Sequence, residues 1–153
     1  MKLWVDGDAM PRGVKDVIFR AAKRLDIETA LVANQRLATP PGNDLVESVT
    51  VPGGPDAADD YIVEHAVSGD LAVTADIPLA ARLVEKGVLA IDPRGQEYTP
   101  DTISERLSIR DFMDQLRSTG VETGGPKPYS PADKRAFADA FDRTLTRMLR
   151  DAR

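Results

Sequence analysis

The chain has 153 residues, of which 42% are hydrophobic and 29% are charged, and this composition excludes a disordered or collagen-like protein. The net charge of −5 disfavours a purely electrostatic nucleic-acid binder, and the absence of cysteine excludes disulfides, thiolate metal sites and cysteine nucleophiles. The apolar run at residues 3–5 is too short for a signal peptide or a membrane span. We therefore expect a single cytoplasmic domain over residues 1–153 that does not bind membranes.

Strand-like and helix-like segments alternate along the chain, which predicts an α/β fold. The predicted strands cover residues 3–6, 28–34, 46–51, 71–74 and 88–91. The predicted helices cover residues 12–26, 55–67, 78–86, 100–107, 109–118 and 131–150. Because the strands are short and largely apolar, we expect a mostly parallel sheet with helices on both faces. Residues 100–153 are predicted to form a helical extension that packs on this domain.

Local signals set several of the predicted helix ends. Gly87 suits the C-terminal end of the third helix. Two Ser-x-x-Asp pairs, Ser108 with Asp111 and Ser130 with Asp133, resemble capping boxes, so each predicts the start of a helix.

Aspartates follow two of the predicted strands and open the helix that leads into one of them. Asp6 and Asp8 end the first strand, and Asp76 ends the fourth. If these strands are neighbours, their carboxylates meet at one edge of the sheet, and close carboxylates repel each other. Mg²⁺ or Mn²⁺ would relieve that repulsion, because both ions prefer oxygen ligands. The predicted metal ligands are Asp6, Asp8, Asp56, Asp59, Asp60 and Asp76.

Each of these aspartates also has a structural explanation. Asp76 suits the N-cap of the third helix, and Asp8 could cap the first helix. The three acids of residues 56–60 lie near a helix N-terminus, where the helix dipole favours negative charge. The metal hypothesis therefore depends on the aspartates facing one another, which capping does not require.

Motifs along nearly the whole chain carry a resemblance to a known family. They are Asp6-Gly-Asp-Ala-Met-Pro11, Gly54-Pro-Asp-Ala-Ala-Asp-Asp60, Gly69-Asp-Leu-Ala-Val-Thr-Ala-Asp-Ile-Pro-Leu79, Pro93-Arg-Gly95, Arg110-Asp-Phe-Met113 and Thr123-Gly-Gly-Pro126. The chain resembles the YaiI/YqxD family of uncharacterised bacterial proteins, whose fold is PIN-like. Gly7 and Met10 depart from the Ala and Cys that are usual in that family, but neither position supplies a carboxylate. The resemblance implies a three-layer PIN-like domain with strand order 3-2-1-4-5.

The wider group of PIN-like proteins and 5′-nucleases implies a function. In that group, aspartates matching Asp6, Asp59, Asp60 and Asp76 hold Mg²⁺ or Mn²⁺ for phosphodiester cleavage, and Thr74 matches the threonine of its Thr-x-Asp motif. The resemblance therefore implies that these five residues are catalytic. It also implies a metal-dependent nuclease that acts on nucleic acid, with RNA favoured over DNA.

Basic and amide side chains near the predicted strand ends are candidates for binding the phosphates of a substrate. These candidates are Arg12, Lys15, Asn34, Arg36, Arg82 and Arg94. Arg94 is the best placed, because it comes just after the fifth strand. A basic stripe on the last helix, Arg143, Arg147 and Arg150, is better explained as a solvated face.

Two other functions remain open. Val5-Asp-Gly-Asp8 resembles the opening of haloacid-dehalogenase-like phosphatases, in which the first aspartate is a nucleophile, although Ala9 and Met10 do not fit that pattern. The chain could instead be a non-catalytic PIN-like module that binds nucleic acid or a protein. A homodimer is also left open.

Overall fold

The computed structural model describes residues 1–11, 13–124 and 127–152, which form six strands and five helices. The strands are β1 (Lys2–Asp6), β2 (Glu28–Ala33), β3 (Val46–Thr50), β4 (Leu71–Val73), β5 (Leu89–Ile91) and β6 (Glu97–Tyr98). The helices are α1 (Val14–Leu25), α2 (Pro55–His65), α3 (Ile77–Glu85), α4 (Pro100–Ser118) and α5 (Pro131–Asp151). All six strands form one sheet in the order β3-β2-β1-β4-β5-β6.

The sheet confirms the predicted α/β class and the order of the first five strands. Strands β1 to β5 pair parallel with one another, whereas β6 pairs antiparallel with β5 through Ala90–Tyr98 and Ile91–Glu97. The sequence did not predict β6, because two residues are too short to show an alternating pattern. The PIN-like assignment of this sheet stays a prediction.

Two apolar clusters, one on each face of the sheet, explain why its strands are apolar. In β1, Leu3 and Val5 belong to the cluster that includes α1 and α5, while Trp4 belongs to the cluster that includes α2 and α3. Successive side chains of a strand point to opposite faces, so a strand between two helical layers needs apolar residues at every position. Trp4 is 4% exposed, as expected for a core residue.

The helix boundaries confirm one predicted capping box and correct the other. Ser130 and Asp133 exchange side-chain and backbone hydrogen bonds at the start of α5. The break predicted after residue 107 is wrong, because α4 continues without interruption from Pro100 to Ser118. The Ser108 hydroxyl lies inside this helix and donates to the carbonyl of Ser104 at 3.1 Å, a contact that serine can make within a helix.

The turn between β5 and β6 lies directly against α5. Gly95, in this turn, has a φ of 90°, and a Cβ added there would lie 2.7 Å from the carbonyl oxygen of Ala136. A side chain at this position would therefore combine a strained backbone with a clash against α5. The close approach fixes the last helix against the end of the sheet.

The second half of α4 extends away from both apolar clusters. Ile109 and Phe112 are 52% and 57% exposed, and Ile103 is the α4 residue buried in the core. None of the helices in the described ranges combines the length and the apolar character that a membrane crossing needs.

Candidate functional site

The carboxyl ends of β1 and β4 bring Asp6 and Thr74 together. These strands are neighbours with Val5 opposite Val73, so the residues that follow them lie side by side. The Thr74 hydroxyl donates a 2.8 Å hydrogen bond to Asp6 Oδ2, and Thr74 Oγ1 accepts a 3.0 Å bond from the backbone N–H of Asp76. Thr74 therefore links the two aspartates that end these strands.

Asp6 is buried and surrounded by other acids. Asp6 is 6% exposed. Burial raises the pKa of its carboxyl group above the usual value. The charges of Asp76 and Asp8 add to this increase, whereas the hydrogen bond from Thr74 opposes it. The described surroundings of Asp6 thus leave its negative charge without a neutralising cation.

Helix α2 adds Asp59 to the acids around Asp6. Burial, followed by the charges of Asp76, Asp6 and Asp56, raises the pKa of Asp59 to about 6. Asp60, the next residue, instead forms an ion pair with Arg82 of α3, in which Arg82 Nη1 donates to Asp60 Oδ1 at 2.8 Å. The sequence left open which acid of this pair faces the edge, and the structure brings Asp59 to it.

Asp8 lies beside the end of β2 rather than at the start of α1. Both oxygens of its carboxylate accept from the backbone N–H of Asn34, at 3.1 Å each. The N-cap of α1 is Gly13, so the interpretation of Asp8 as a helix cap is wrong. The side-chain oxygen of Asn34 is buried and has no hydrogen-bond partner among the described residues.

Asp76 has a structural contact as well. Its Oδ1 accepts a 3.0 Å bond from the backbone N–H of Leu79, which makes Asp76 the N-cap of α3.

We refer to Asp6, Asp8, Asp59 and Asp76, together with Thr74, as the acidic edge. Within residues 1–11, 13–124 and 127–152, no group of three or more acidic or histidine side chains is arranged to hold one metal ion.

A second group of charged residues surrounds a cavity at the end of β5. This cavity has a volume of about 190 Å³. Its lining includes Ala75, Arg94, Arg106, Lys127 and Tyr129, and we call it the basic cavity. It contacts the acidic edge through Ala75, which lies between Thr74 and Asp76.

Buried Asp92 organises one wall of the basic cavity. Its Oδ1 accepts from the backbone N–H groups of Arg94 and Gln96, both at 2.9 Å, and its Oδ2 lies 3.1 Å from Arg106 Nη2. Two backbone donors and one guanidinium therefore satisfy a carboxylate that would be unfavourable in this position alone.

Tyr98 lies between the two groups. Its hydroxyl donates to the carbonyl of Thr74 at 3.1 Å, and the guanidinium of Arg106 lies 4.4 Å from the centre of its ring. Burial raises the pKa of Tyr98 to about 12; Arg106 opposes the change, and the charges of Asp92 and Asp76 add to it. The phenol thus stays protonated and donates a fixed hydrogen bond.

The predicted phosphate-binding residues are dispersed. Arg94 lines the basic cavity, Asn34 lies beside Asp8, and Arg82 pairs with Asp60. Lys15 is half-buried on α1, and Arg36 is exposed in the loop after β2. Arg12 lies outside the described residues.

Sequence reasoning missed three residues that shape the basic cavity, namely Arg106, Lys127 and Tyr129. Arg106 comes from α4, and the other two come from the segment before α5, so no local motif connects them with Arg94. Only the position of Arg94 directly after β5 gave a signal.

Comparison with known proteins identifies the family. The family model described as uncharacterised BCR, YaiI/YqxD family, matches residues 4–147. A UPF0178 protein of Bordetella petrii is 57% identical over 95% of this chain and 96% of its own length. UPF0178 proteins of Geobacter sulfurreducens and Trichlorobacter lovleyi are 55% and 52% identical, over 98% and 100% of this chain and 99% of their own lengths.

The chain therefore belongs to the YaiI/YqxD family, which confirms the resemblance of its motifs. No solved structure matches the chain. The family is uncharacterised, so its membership carries no assigned activity.

Proposed function

We propose that this member of the YaiI/YqxD family is a divalent-metal-dependent nuclease that hydrolyses phosphodiester bonds, with RNA favoured over DNA. The observation that carries the proposal is the Asp6–Thr74–Asp76 chain of hydrogen bonds at the ends of two adjacent parallel strands. Ligand sites in open parallel sheets lie at this edge. Asp8 and Asp59 add negative charge at the same place, since Asp8 raises the pKa of Asp6, and Asp76 and Asp6 raise the pKa of Asp59.

The donor atoms of the acidic edge suit a hydrated Mg²⁺ or Mn²⁺ ion. Magnesium commonly binds through one or two carboxylates and keeps several of its waters, so a group of three protein ligands is not required. A cation would also relieve the repulsion from Asp76 and Asp6 that, in addition to burial, raises the pKa of Asp59. Asn34, whose backbone N–H binds Asp8, also has a buried side-chain oxygen without a partner among the described residues, and this oxygen is of the hard type that such an ion or its waters prefer.

Such an ion, when bound, supplies a hydroxide from one of its waters and stabilises negative charge on the phosphate. Asp6 and Asp76 would hold it, and Asp8 and Asp59 would bind it or hold a water next to it. Thr74 positions the carboxylate of Asp6, because its hydroxyl is fixed by the N–H of Asp76 and donates to Oδ2. Burial of Asp6 keeps bulk water away from one side of this arrangement.

The test is the replacement Asp76→Asn. Asparagine is as good an N-cap as aspartate, so α3 keeps its first turn while the edge loses a carboxylate. We expect cleavage of single-stranded RNA in Mn²⁺ to fall to background, while the melting temperature stays within a few degrees of wild type. The matched control is Asp139→Asn, which removes an exposed carboxylate from α5 and should leave cleavage unchanged.

The proposal is wrong if wild type cleaves neither RNA nor DNA in Mn²⁺ or Mg²⁺. Calorimetric titration with Mn²⁺ then decides what remains. Binding that Asp6→Asn removes, without any cleavage, would indicate the non-catalytic module instead.

A further inference from the structure

The basic cavity concentrates positive charge in a protein that is acidic overall. Arg94, Arg106 and Lys127 line a volume of about 190 Å³, whereas the net charge of the chain is −5. Asp92 is the one acid among the described lining residues, and its oxygens are already engaged by backbone N–H groups and by Arg106. The cavity therefore presents cations whose charge is only partly compensated.

Arg106 is held in a fixed orientation in this wall. Its Nη2 is paired with Asp92 at 3.1 Å, and its guanidinium lies over the ring of Tyr98. The other terminal nitrogen, Nη1, is buried and has no hydrogen-bond partner among the described residues. The guanidinium thus keeps its positive charge at the wall of the cavity, where it favours an anionic ligand. The planar arrangement of donors in arginine matches the oxygens of a phosphate.

The part of the rim that carries Arg94 and Lys127 is also preorganised. Arg94 Nη2 donates to the carbonyl of Lys127 at 2.6 Å, and Arg94 Nε lies 3.5 Å from the carboxylate of Asp133. The hydroxyl of Tyr129 donates to the carbonyl of Pro93 at 2.6 Å, which ties the segment before α5 to the end of β5. These contacts hold the Arg94 side chain and the backbone of Lys127 near the cavity before any ligand arrives, and this lowers the entropy lost on binding.

The size of the cavity favours a small group. Pockets for drug-sized ligands are typically about 300–1,000 Å³, so this volume suits a phosphate with part of its sugar rather than a complete nucleotide. The cavity is lined by Ala75, which lies between Thr74 and Asp76 in the chain, so it is adjacent to the acidic edge.

We propose that the basic cavity binds a phosphate group of the nucleic-acid strand, next to the phosphodiester that lies at the acidic edge. This inference rests on the proposed nuclease function and assigns to Arg94, Arg106 and Lys127 the binding of a phosphate that is not cleaved. The cavity thereby sets the position of the strand relative to Asp6 and Asp76.

The first part of the test measures the cavity without any metal. Calorimetry in EDTA with inorganic phosphate, and with uridine as a probe that lacks phosphate, is carried out on wild type, Arg94→Gln, Lys127→Gln and Arg20→Gln. Arg20 is an exposed arginine of α1, so its replacement is the charge-matched control. We expect wild type and the control to bind phosphate but not uridine. Each cavity variant should bind it about tenfold more weakly, as is typical for the loss of one hydrogen bond to a charged group.

The second part identifies the source of the phosphate. Fluorescence anisotropy of a labelled oligouridylate is measured in the Asp76→Asn background, so that cleavage does not interfere. Adding Arg94→Gln or Lys127→Gln should weaken this binding about tenfold, and inorganic phosphate should compete with the strand. Circular dichroism of each variant verifies that the fold is retained.

The outcomes separate the two proposals. No phosphate binding by wild type, or binding that both cavity variants retain, overturns the cavity assignment. Phosphate binding that depends on Arg94 and Lys127, without an effect on the oligouridylate, identifies free phosphate as the ligand and overturns the assignment to the strand. The expected binding results without cleavage by wild type in Mn²⁺ contradict only the nuclease proposal.

Discussion

The acidic edge and the basic cavity meet at residues 74–76, but their charges are held in different ways. In the acidic edge, Asp6, Asp8 and Asp76 accept hydrogen bonds from a hydroxyl and from backbone N–H groups. In the basic cavity, Arg106 and Arg94 are paired with carboxylates, those of Asp92 and Asp133. Neutral donors fix a carboxylate in place without cancelling its charge, whereas ion pairs cancel much of it.

This difference shows that the net charge of the chain does not describe the local charge of either region. Negative charge is left uncompensated at one place and positive charge is partly compensated next to it, so a cation and a phosphate could bind side by side. The net charge of −5 is a sum over the whole chain, in which the charges of the two regions offset each other. Substitutions that remove one interaction from each region test whether ion pairs stabilise the basic cavity and neutral donors stabilise the acidic edge.

The largest effect is expected for Arg106→Met, which breaks the ion pair of the basic cavity. Asp92 would remain buried with only its two backbone donors, and loss of one partner of a buried pair costs about 3 kcal/mol in stability. Urea denaturation measures the change. The control is Arg110→Met, since Arg110 is an exposed arginine of the same helix and its nearest carboxylates are also exposed. Equal losses for both variants would contradict the role given to the buried pair.

A smaller effect is expected for Thr74→Val, which removes the neutral donor of the acidic edge. Asp6 would lose a 2.8 Å hydrogen bond, and the N–H of Asp76 would lose its acceptor. Because valine and threonine are nearly equal in size, we expect the lost hydrogen bonds to lower the free energy of unfolding by about 2 kcal/mol. Thr74→Ser keeps the hydroxyl and should recover most of that stability in the same denaturation experiment. A serine variant as unstable as the valine variant would show that packing, and not the hydrogen bond, matters at this position.

The smallest effect is a pH dependence at the rim of the basic cavity. The hydrogen bonds from Ser130, together with Arg94, lower the pKa of Asp133 below 3.8. An aspartate with a lowered pKa in the folded state adds stability above its unfolded pKa, and this stability is lost as the pH falls through the folded pKa. Asp133→Asn should therefore lower the melting temperature slightly at pH 7, and the difference from wild type should shrink as the pH falls below 3.8 and disappear below the folded-state pKa.

Thermal melts between pH 2 and pH 7 measure this difference. Asp139→Asn, on the same helix, is the control and should follow wild type throughout. A difference for Asp133→Asn that stays constant over the whole pH range would contradict the electrostatic explanation.

The sequence was most informative about the acidic edge. Asp6 and Asp76 follow apolar runs directly, and the ends of parallel strands share one edge of a sheet, so their proximity followed once β1 and β4 were taken as neighbours. The hydrogen bond between Thr74 and Asp6 follows from the same register. The choice between Asp59 and Asp60 did not, because it depends on Arg82, which lies two turns into a different helix.

The basic cavity was largely hidden from the sequence for a physical reason. Its walls come from the end of β5, from α4 and from the segment before α5, and their contacts depend on how these elements pack. Periodicity describes each element separately and contains no information about such contacts. The mistaken break at Ser108 has a related origin, since serine is compatible both with a helix cap and with a bond to the preceding turn.

The turn that carries Gly95 limits how this region can change during evolution. Any larger residue there would push α5 away from the sheet by its contact with Ala136, and Arg94, the preceding residue, would shift with it. Mutational scanning should therefore find almost no tolerated replacement at this glycine, although it has no side chain with which to bind a ligand. Neighbouring positions in the rim could drift in sequence while the spacing between helix and strand is kept.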